Sequence, residues 1–568
     1  MSQWKIKEKA ATADQMDFPY HPIIVNLLLQ RALNTKEKIE SFFSPEYDRD
    51  LLDPFLFADM PKAMERIRQA KEKKEAIVIY GDYDADGVTS SAILQEAFDE
   101  IGIKSSVYIP DKKTEGYGIN ANSIENFAKQ KVSLIVTVDC GISNKSEVEL
   151  ANRKNIDVII LDHHHIPAKV PPALAIINPN LKNSGYPFDQ LAGVGVAFKF
   201  VQALYATFIP EKMEQLKWML DLVAIGTIAD CMDLLGENRA IVRYGLVVLS
   251  KTKRVGLKEM FAVGRISIDE NNFPDARKVA FQIAPRINAA GRMNHANTAF
   301  NLLREKKQDL ARGLALELEK NNQDRQKETA QITGEVKILA KNMFKDKKFI
   351  FAVGEHFPIG IVGLVAGKIS DEFNKPTAIL QKGDKISKGS MRSIPQVNII
   401  EAIEKCSKFL LKFGGHSQAA GISVANENLE KFYEALSKII EKELEEKDLS
   451  LALEIDAEIT SKDIDNQFVN DLKKFEPFGE GNAEPIFLMK NLEVSELKIV
   501  GNGSKHLKLF LRAGDGTPKI FEAIGFGLVE KFPEIKKGDK IDAVFNLSED
   551  EWNGNKKIQM NLIGLKII

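Results

Sequence analysis

Short runs of apolar residues recur in the first half of the chain, and a polar cluster follows each of them directly. The runs are Ala76–Tyr80, Leu134–Val138, Val158–Leu161 and Ala224–Ala229. Apolar runs of this length that are rich in Val and Ile and alternate with helical stretches are typical of buried parallel strands. The pattern predicts an α/β fold with a parallel sheet, in which ligands bind beyond the carboxyl ends of the strands.

The polar clusters that follow these runs consist of carboxylates and imidazoles. They are Asp82-Tyr-Asp84-Ala-Asp86, Asp139, Asp162-His163-His164-His165 and Asp230. If the strand ends meet at one edge of a sheet, these side chains converge there, and crowded carboxylates repel one another unless cations hold them. The sequence therefore indicates a metal-dependent enzyme.

The pattern along the whole chain predicts five regions. Helical periodicity dominates Met213–Leu249, which carries Asp230, and a long polar-rich helix without proline follows the first α/β region. A second α/β region begins near Phe349, and a charged linker precedes a region of short alternating strands. The expected bounds are 1–70 for an N-terminal cap, 71–308 for the first α/β domain, 309–344 for a connecting helix, 345–445 for the second α/β domain, and 446–568 for a β domain.

The last region alternates apolar and polar residues in short segments. Strands are predicted over Leu451–Ile459, Ile486–Val500, His506–Arg512, Lys519–Gly525 and Lys540–Leu547, with turns at Asp515-Gly516 and Asn553-Gly554. Short strands at this density suggest a small closed β-barrel, of which the OB-fold is one candidate. Phe510, Phe521, Phe526 and Trp552 are candidates for stacking on bases, although a core position is the expectation for most of them.

Composition and charge narrow the class of protein. The chain has 568 residues, 44% hydrophobic and 28% charged, which is ordinary for soluble proteins. Its 78 basic and 80 acidic residues do not by themselves indicate nucleic-acid binding, but they allow a local basic groove. We find neither a membrane-length apolar stretch nor a signal-peptide core, and only three cysteines, so we expect a cytoplasmic protein without disulfides.

Ligand type narrows the choice of metal. Asp82 begins a segment like a calcium-binding loop, but Ile93 stands where that loop needs a bidentate Glu. Carboxylate oxygens favour Mg²⁺, Ca²⁺ or Mn²⁺, and added imidazoles shift the preference toward Mn²⁺ and later transition metals. Two such ions would hold both the attacking and the leaving oxygen of a phosphoryl displacement. From the residues alone the expected ligands are Asp84, Asp86, Asp139, His163 and Asp230. His164 either binds a substrate phosphate or orients the site, and His165 either supports it from behind or lies at the surface.

The second α/β region has two polar segments of its own. Lys388-Gly-Ser-Met-Arg-Ser393 offers hydroxyls, an arginine and a glycine, and is a candidate phosphate-binding loop. Phe413-Gly-Gly-His416 places a histidine behind two glycines, where a ligand backbone can approach closely. Opposite a metal site, these segments would form the other side of a phosphodiester-binding cleft.

These segments together resemble the DHH phosphoesterase superfamily. Its first four motifs correspond to Asp82–Gly87, Val138-Asp139, Asp162–His164 and Ala229-Asp230, and Gly389–Ser393 with Gly414–His416 resemble the DHH-associated domain. Within the superfamily, Ile283–Arg292, Asn321–Gln326 and Phe475–Asn482 are similar to stretches particular to the RecJ family. That resemblance extends from about Leu51 to the C-terminus.

The resemblance implies an architecture, an activity and partners. The architecture is a parallel-sheet DHH domain, a long connecting helix, a second α/β DHH-associated domain and a C-terminal OB-type β-barrel. The activity is that of a single-stranded-DNA-specific 5′→3′ exonuclease of DNA repair and recombination, which uses two Mn²⁺ or Mg²⁺ ions and releases 5′-mononucleotides. Single-stranded DNA is the implied substrate, single-strand-binding protein and a helicase are family-implied partners, and a monomer is expected.

The resemblance also implies roles for individual residues. The implied metal ligands are Asp82, Asp84, Asp86, Asp139, His163, His164 and Asp230. The implied catalytic residues are Asp84, Asp86, Asp139, His163, His164 and His416, and the implied substrate contacts are Lys112, Ser390, Arg392, Gly414, Gly415 and His416. Lys112 departs from the family pattern, in which arginine is common, and keeps the charge without the bidentate geometry.

Two alternatives remain open at the level of the sequence. The first is a related DHH phosphoesterase that degrades short oligoribonucleotides or cyclic dinucleotides; the chain length and the OB-type region argue against it. The second is a non-enzymatic nucleic-acid-binding scaffold that has lost its metal ligands, and the presence of every ligand position argues against that.

Overall fold

The computed structural model describes residues 3–9, 18–112, 114–445, 452–501, 503–552 and 555–568. The strands in these ranges are β1 (Gln3–Ile6), β2 (Ala76–Gly81), β3 (Ser105–Tyr108), β4 (Val132–Val138), β5 (Asp157–Leu161), β6 (Ala175–Ile177), β7 (Ile350–Gly354), β8 (Thr377–Lys382), β9 (Ile386–Arg392), β10 (Leu410–His416), β11 (Ala419–Ala425), β12 (Ala452–Ile455), β13 (Ala457–Glu458), β14 (Phe487–Val500), β15 (His506–Arg512), β16 (Ile520–Gly525), β17 (Lys540–Trp552) and β18 (Asn555–Ile567).

The α-helices in the same ranges include the short α3 and α12, and four 3₁₀ segments and one π-helical turn, Val279–Ile283, accompany them. The helices are α1 (Pro22–Gln30), α2 (Lys36–Phe43), α3 (Tyr47–Asp50), α4 (Met60–Lys73), α5 (Ala85–Glu100), α6 (Ala121–Lys129), α7 (Lys145–Arg153), α8 (Gly193–Phe208), α9 (Leu220–Ala229), α10 (Gly236–Ser250), α11 (Val255–Gly264), α12 (Ala276–Lys278), α13 (Ala284–Met293), α14 (Asn297–Arg304), α15 (Gln308–Met343), α16 (Val362–Phe373), α17 (Ile399–Glu404), α18 (Leu429–Leu444) and α19 (Asn466–Lys473).

The chain divides into two compact units, each assembled from separate segments. One contains Met1–Leu51, Asp233–Arg243 and Ser450–Ile568, and the other contains Leu52–Met232 and Tyr244–Leu449. Among the described residues, no helix combines the length and the apolar character that a membrane crossing requires.

The larger unit begins with a sheet of five parallel strands in the order β3-β2-β4-β5-β6. Its central strands β2, β4 and β5 are buried almost throughout, because helices cover both faces of such a sheet. Ile79 pairs with Val136, and Val136 with Ile159, so the three strands end at the same edge. The predicted parallel sheet is confirmed, and the polar segments after these strands are brought together.

The fourth apolar run is not a strand. Ala224–Ala229 forms the second half of helix α9, and Asp230 follows the end of that helix. Every residue from Leu220 to Ile228 is buried. A short run that is apolar on all sides cannot be distinguished from a buried helix by periodicity. The helix predicted for this region was right, and the strand was wrong.

A long helix and a second sheet complete the larger unit. Helix α15 contains 36 residues and extends from the helices beside the first sheet to α16 in the second α/β region. The second sheet has the order β10-β11-β9-β8-β7, in which β7 and β8 are parallel and the remaining pairs antiparallel. Strand β10 is the edge, and most of its residues are exposed. These features confirm the predicted connecting helix and second α/β layer.

The smaller unit is a β-barrel. Its strands follow the order β13-β14-β15-β16-β18-β17, and the pairing of β14 with β17 closes the sheet. Strands β14, β15 and β16 lie within the predicted ranges, while β18 had no predicted counterpart. The predicted turn at Asn553-Gly554 and the first residue of the strand predicted from Leu451 fall outside the described residues. The closed barrel confirms the OB-type prediction.

Candidate active site

Three aspartates occupy the turn between β2 and α5, and their carboxylates have different surroundings. Asp84 caps α5, because its Oδ1 accepts hydrogen bonds from the backbone amides of Asp86 and Gly87, both at 3.1 Å. Asp86 is buried and accepts hydrogen bonds from the amides of Gly193 and Val194, at 2.7 and 2.8 Å, where α8 begins. Oδ1 of Asp82 is buried and has no hydrogen-bond partner among the described residues.

Carboxylates from three separate segments surround one histidine nitrogen. Nε2 of His163 lies 3.3 Å from Oδ1 of Asp139, 3.5 Å from Oδ2 of Asp230 and 3.9 Å from Oδ2 of Asp86. This nitrogen is buried, yet it makes no hydrogen bond within the described part of the chain. Burying a polar atom without a partner costs free energy, and a cation between these atoms would satisfy all of them.

The geometry of the donor set fits divalent ions. Three groups of side chains each place their ligand atoms within 4.8 Å of one another: Asp139 with His163 and His164, Asp86 with His163 and Asp230, and Asp82 with Asp84 and Asp139. Oxygen ligands with imidazoles suit Mn²⁺ and Mg²⁺. The structure thus brings together all seven residues predicted as ligands, including Asp230, which comes from a helix rather than a strand.

The protonation equilibria reflect the crowding of these groups. Burial together with the charge of Asp84 raises the pKa of Asp86 to about 7, and burial together with the charges of Asp86 and Asp84 raises that of Asp230 to about 9. Burial and the neighbouring carboxylates also raise the pKa values of Asp82 and Asp139. Burial lowers the pKa of His163 to about 4, so its imidazole is neutral and has a lone pair to donate. A cation of charge +2 would reverse the electrostatic cost of ionising the carboxylates.

Asp162 orients the second histidine of the site, a role that the sequence did not predict. Its fully buried carboxylate accepts hydrogen bonds from the amides of Ile142, His163 and His164, and its Oδ1 lies 2.7 Å from Nδ1 of His164. Burial opposes the charge on His164, but Asp162 outweighs burial and raises the pKa of His164 to about 9. The hydroxyl of Tyr117 lies 3.2 Å from the same Nδ1.

A cluster of positive side chains lies beside the carboxylates. Burial and the charge of Arg292 lower the pKa of Lys112 to about 8, against the opposing effect of the charges of Asp82 and Asp84. Burial and Arg292 likewise lower the pKa of Arg392. Within the described ranges, none of these three cations forms an ion pair with a carboxylate. Mutually repelling cations without counter-ions form a binding site for an anion such as a phosphate group.

The second sheet supplies the other predicted substrate contacts. Ser390 and Arg392 lie near the end of β9, and a methyl group added to Gly363 at the start of α16 would lie 3.3 Å from the side chains of both. The hydroxyl and guanidinium groups therefore face the N-terminus of a helix, where the backbone favours negative charge.

His416 and its two preceding glycines form the edge of the same sheet. The His416 ring lies 5.3 Å from the ring of His165, which is exposed at the rim of the carboxylate cluster. Burial lowers the pKa of His416, with smaller contributions from His165 and His164. Gly415 has φ +148°, and a Cβ there would lie 2.3 Å from the carbonyl oxygen of Ala419, so only glycine fits. Gly414 has open space on its exposed side.

Arg292 and Tyr117 are site residues to which the sequence analysis assigned no role. Arg292 ends the stretch Ile283–Arg292, whose family resemblance was the available signal. Arg292 lies at the end of α13, and its Nη1 is 3.4 Å from the carbonyl oxygen of Gly360 in the second α/β region. Its proximity to the metal-binding turn follows from tertiary packing of α13, which spacing along the chain does not show.

The four aromatic residues singled out in the barrel have different environments. Phe521 is buried in the barrel core, and Phe526 is 64% exposed. Phe510 is half-buried, with the ammonium groups of Lys498 and Lys508 within 6 Å of its ring centre, at 5.6 and 5.9 Å. The side chain of Trp552 is outside the described part of the structure. Phe510 and Phe526 therefore keep their place as candidates for stacking.

Known protein families match most of the chain. Residues 76–227 match the DHH family, N-terminal domain, residues 346–442 match the DHHA1 domain, and residues 455–564 match the RecJ OB domain. The matches coincide with the first sheet, the second sheet and the barrel.

Full-length relatives and solved structures give the same result. The chain is 36% identical over 543 residues to the single-stranded-DNA-specific exonuclease RecJ of Bacillus subtilis, covering 95% of this chain and 67% of that protein. It is 30% identical to the protein of the same name from Haemophilus influenzae, with 95% of each chain covered. The crystal structure of RecJ in complex with Mn²⁺ from Thermus thermophilus superposes with a TM-score of 0.82 at 26% identity, covering 99% of this chain and 79% of that one. A second structure, of the same protein with Mg²⁺, has a TM-score of 0.74 at 25% identity and covers 99% and 78%.

Proposed function

Because the chain belongs to the RecJ family of DHH proteins, we propose that it is a metal-dependent exonuclease that degrades single-stranded DNA from a free 5′ end. The observation that carries the proposal is the convergence of carboxylates from three segments on the unpaired Nε2 of His163. Beside this cluster lie Lys112, Arg292 and Arg392, which form no ion pair with a carboxylate among the described residues and would attract the negative charge of a nucleic-acid substrate.

The reaction is the hydrolysis of a phosphodiester bond. Asp82, Asp84, Asp86, Asp139, His163, His164 and Asp230 are the proposed ligands of Mn²⁺ or Mg²⁺, and we propose two ions. When bound, the ions supply an activated water and stabilise charge on the leaving oxygen. The backbone amides of Gly193 and Val194 keep Asp86 aimed at the site, and Asp162 holds His164 in one orientation. His416 is proposed to contact the scissile phosphate from the second sheet.

Recognition of the 5′ end is proposed to depend on the phosphate-binding cluster of Lys112, Arg292, Ser390 and Arg392. Its two arginines provide planar donors for phosphate oxygens, and Lys112 provides a point charge. The charges of Asp82 and Asp84 act on Lys112, which supports a position of the terminal phosphate next to the metal centre. An end held there would expose the first phosphodiester bond to the ligands, so the enzyme would release 5′-mononucleotides.

Selectivity for single strands has a steric basis in this proposal. The rings of His165 and His416, which belong to the two α/β layers, lie 5.3 Å apart. We propose that the passage between the layers admits a single strand and is too narrow for a duplex. Flexible unpaired bases can pass and stack on aromatic faces without sequence preference, and the exposed Phe526 and half-buried Phe510 of the barrel are candidates for such stacking. We propose a cytoplasmic monomer that acts in DNA repair and recombination, with single-strand-binding protein and a helicase as partners. We also propose domain bounds at residues 70, 308, 344 and 445.

The test is product analysis on one oligonucleotide, 5′-phosphorylated and 3′-labelled, either single-stranded or annealed, with Mn²⁺, Mg²⁺ or a chelator. We expect a ladder of shortening products that retain the 3′ label, from the single strand alone and only with metal. Release of the 3′ label as a mononucleotide at the first time points would indicate degradation from the 3′ end instead. An intact long strand beside rapid loss of di- or trinucleotides would favour the phosphoesterase of short oligoribonucleotides instead.

A further inference from the structure

Glu115 is a half-buried carboxylate outside the metal cluster that receives three hydrogen bonds. Its Oε1 accepts from the hydroxyl of Tyr108 at 2.5 Å and from Nδ2 of Asn120 at 3.0 Å. Its Oε2 accepts from the backbone amide of Asp111 at 2.8 Å. No lysine or arginine forms an ion pair with Glu115 within the described ranges. A carboxylate with three donors and no counter-ion fixes the positions of those donors.

One of the donors, the amide of Asp111, belongs to a loop that is closed by its own hydrogen bonds. The backbone amides of Glu115 and Gly116 donate to the carbonyl oxygen of Asp111, at 2.8 and 3.2 Å. The amide and hydroxyl of Thr114 donate to Oδ1 of Asp111, at 2.9 and 3.0 Å. Lys112 lies inside this closed loop, and Lys113 is outside the described residues. The amide of Asp111 is held by Glu115, and the carbonyl oxygen of Asp111 is held by the amides that close the loop. These hydrogen bonds fix the backbone position of the next residue, Lys112.

The side chain of Lys112 extends from this loop to the metal-binding turn. Its Nζ lies 4.6 Å from the ring centre of Tyr83, the residue between Asp82 and Asp84. A lysine side chain has four rotatable bonds and loses conformational entropy when it is held in one place. The aromatic face and the closed loop together reduce that loss at the moment when a ligand binds.

The same hydrogen-bond network reaches the strand that carries the metal ligands. Nδ2 of Asn120 also donates to the hydroxyl of Tyr80 at 3.1 Å, and that hydroxyl donates to the carbonyl oxygen of Gly118 at 3.0 Å. Tyr80 is buried in β2, two residues before Asp82. Glu115 thus connects the lysine loop and the metal-binding strand through one intermediate side chain, Asn120.

We propose that Glu115 is a positioning residue that holds Lys112 at a fixed place beside the metal-binding turn, and so determines the preference of the enzyme for 5′-phosphorylated ends. The proposal rests on the proposed function, because it specifies the substrate end that the site selects. Glu115 contacts no substrate itself and acts only through the loop that it closes. A structural role without this coupling would alter stability but not the discrimination between ends.

The experiment compares Glu115→Ala, Glu115→Gln and the unaltered enzyme on two single strands that differ only in a 5′-phosphate or a 5′-hydroxyl. For Glu115→Ala we expect KM for the phosphorylated strand to rise about 10- to 100-fold, since misplacement of a binding group by ~1 Å has effects of that size. The value of kcat should change less than about twofold, because the metal ligands are untouched. Glu115→Gln keeps one acceptor oxygen and should show a smaller rise in KM.

A double-mutant cycle with Lys112→Met distinguishes a rise in KM that is transmitted through Lys112 from a rise in KM that has another cause. If Glu115 acts through Lys112, Lys112→Met removes the end preference and adding Glu115→Ala changes KM no further. If the two separate increases in KM multiply in the double variant, the proposal is overturned. An equal fall in kcat on both strands for Glu115→Ala and Glu115→Gln would overturn it as well, because that result indicates a general defect of the site.

The matched control is Glu125→Gln, on the neighbouring helix α6, where the carboxylate forms an exposed ion pair with Lys154 at 2.9 Å. We expect this variant to keep the KM values of the unaltered enzyme on both strands. If the unaltered enzyme degrades neither strand, the proposed function fails. If it degrades both with the same KM, the proposed exonuclease activity stands, whereas recognition of the 5′ phosphate and the positioning role of Glu115 are overturned.

Discussion

The Nδ1 atom of His164 lies 2.7 Å from Oδ1 of Asp162, and the Asp162 carboxylate also accepts hydrogen bonds from three backbone amides. This contact fixes the orientation of the His164 ring, whose Nε2 lies 3.5 Å from the hydroxyl of Tyr117. Carboxylates behind a ligating histidine fix its tautomer and its orientation.

Replacing this carboxylate should therefore impair the site without removing a ligand. For Asp162→Asn we expect nuclease activity to fall about 10- to 100-fold, the range found when partners of metal ligands are lost. Activity as a function of Mn²⁺ concentration is the measurement, and a shift of the curve to higher concentration is the expected sign. Asp189→Asn, at an exposed position, is the control. Activity of Asp162→Asn within twofold of the unaltered enzyme would contradict the role.

Metal binding should stabilise the protein against heat. The crowded carboxylates cost free energy when ionised, and an ion present at 100 times its Kd contributes about 2.7 kcal/mol, or roughly 3 °C in Tm for a unit of this size. Tm measured in chelator and then in excess Mn²⁺ tests this expectation. Asp139→Asn, which removes a shared ligand, should abolish most of the increase. An unchanged Tm in the unaltered protein would argue against a metal site here.

Because of the same carboxylates, the increase in Tm that metal produces should depend on pH. The pKa values of Asp86 and Asp230 are raised to about 7 and about 9, above the ~3.9 of an unfolded aspartate. Without metal, the folded state binds more protons than the unfolded state in this window, so stability falls as pH rises from about 4 to about 9. The gain in Tm on adding Mn²⁺ should be larger at pH 8 than at pH 6, and a gain that shrinks over this range would refute the assignment.

Lys112 should make end recognition sensitive to alkaline pH. Its pKa is lowered to about 8, chiefly by burial, so its charge is lost as pH rises through that value. KM for a 5′-phosphorylated strand should then rise, by up to about tenfold per pH unit above the pKa. In Lys112→Arg the guanidinium stays charged over this range, and the rise should disappear. A rise of equal size in the variant, or on a 5′-hydroxyl strand, would assign the pH effect to another group.

Arg392 should contribute to the same preference from the second sheet. Its guanidinium forms no ion pair within the described ranges, and Arg292 repels it, so a phosphate dianion relieves the repulsion. For Arg392→Ala we expect KM for the 5′-phosphorylated strand to rise by about 10-fold or more, at ~1.5–3 kcal/mol for a hydrogen bond to a charged group. Competition between phosphorylated and hydroxyl ends measures the effect. An unchanged preference would exclude Arg392 from the phosphate site.

In the smaller unit, a buried arginine should dominate local stability. The guanidinium of Arg239 donates to the carbonyl oxygens of Phe42, Phe475, Lys474 and Glu476, at 2.5 to 3.0 Å, and lies over the Phe42 ring. Arg239→Met leaves these buried oxygens unpaired, and we expect a loss of about 3–5 kcal/mol in the free energy of unfolding. Urea unfolding is the measurement. Lys490→Met, which breaks an exposed ion pair with Glu458, should leave the urea midpoint almost unchanged.

The features that were predictable from sequence are those encoded in local patterns. Strands β2, β4 and β5 are apolar throughout, because helices cover both faces of their sheet, and so the positions of Asp82 and Asp139 at strand ends followed directly. Ala224–Ala229 is equally apolar on every side, and periodicity alone could not show that it is a helix.

Features that depend on tertiary packing were missed. Arg292 reaches the anion site because α13 packs against the metal-binding turn, where Gly291 lies against Tyr83. Asp162 was noticed as part of a motif, but its role depends on amides that only the folded turn brings together. Strand β18 was not anticipated, although it pairs with β17 along its length and with β16.

The assembly of the smaller unit from distant segments has a consequence during protein synthesis. Strand β1 pairs in parallel with β12, and the ammonium of Lys7 binds Asp456, 449 positions later. At ~5–20 residues per second, a ribosome takes roughly 20–90 s to make the intervening chain. Throughout that interval the apolar face of α1, with Ile24, Leu27 and Leu28, lacks the barrel core that later covers it. During synthesis the nascent amino-terminal segment therefore exposes apolar surface of the kind that chaperones bind.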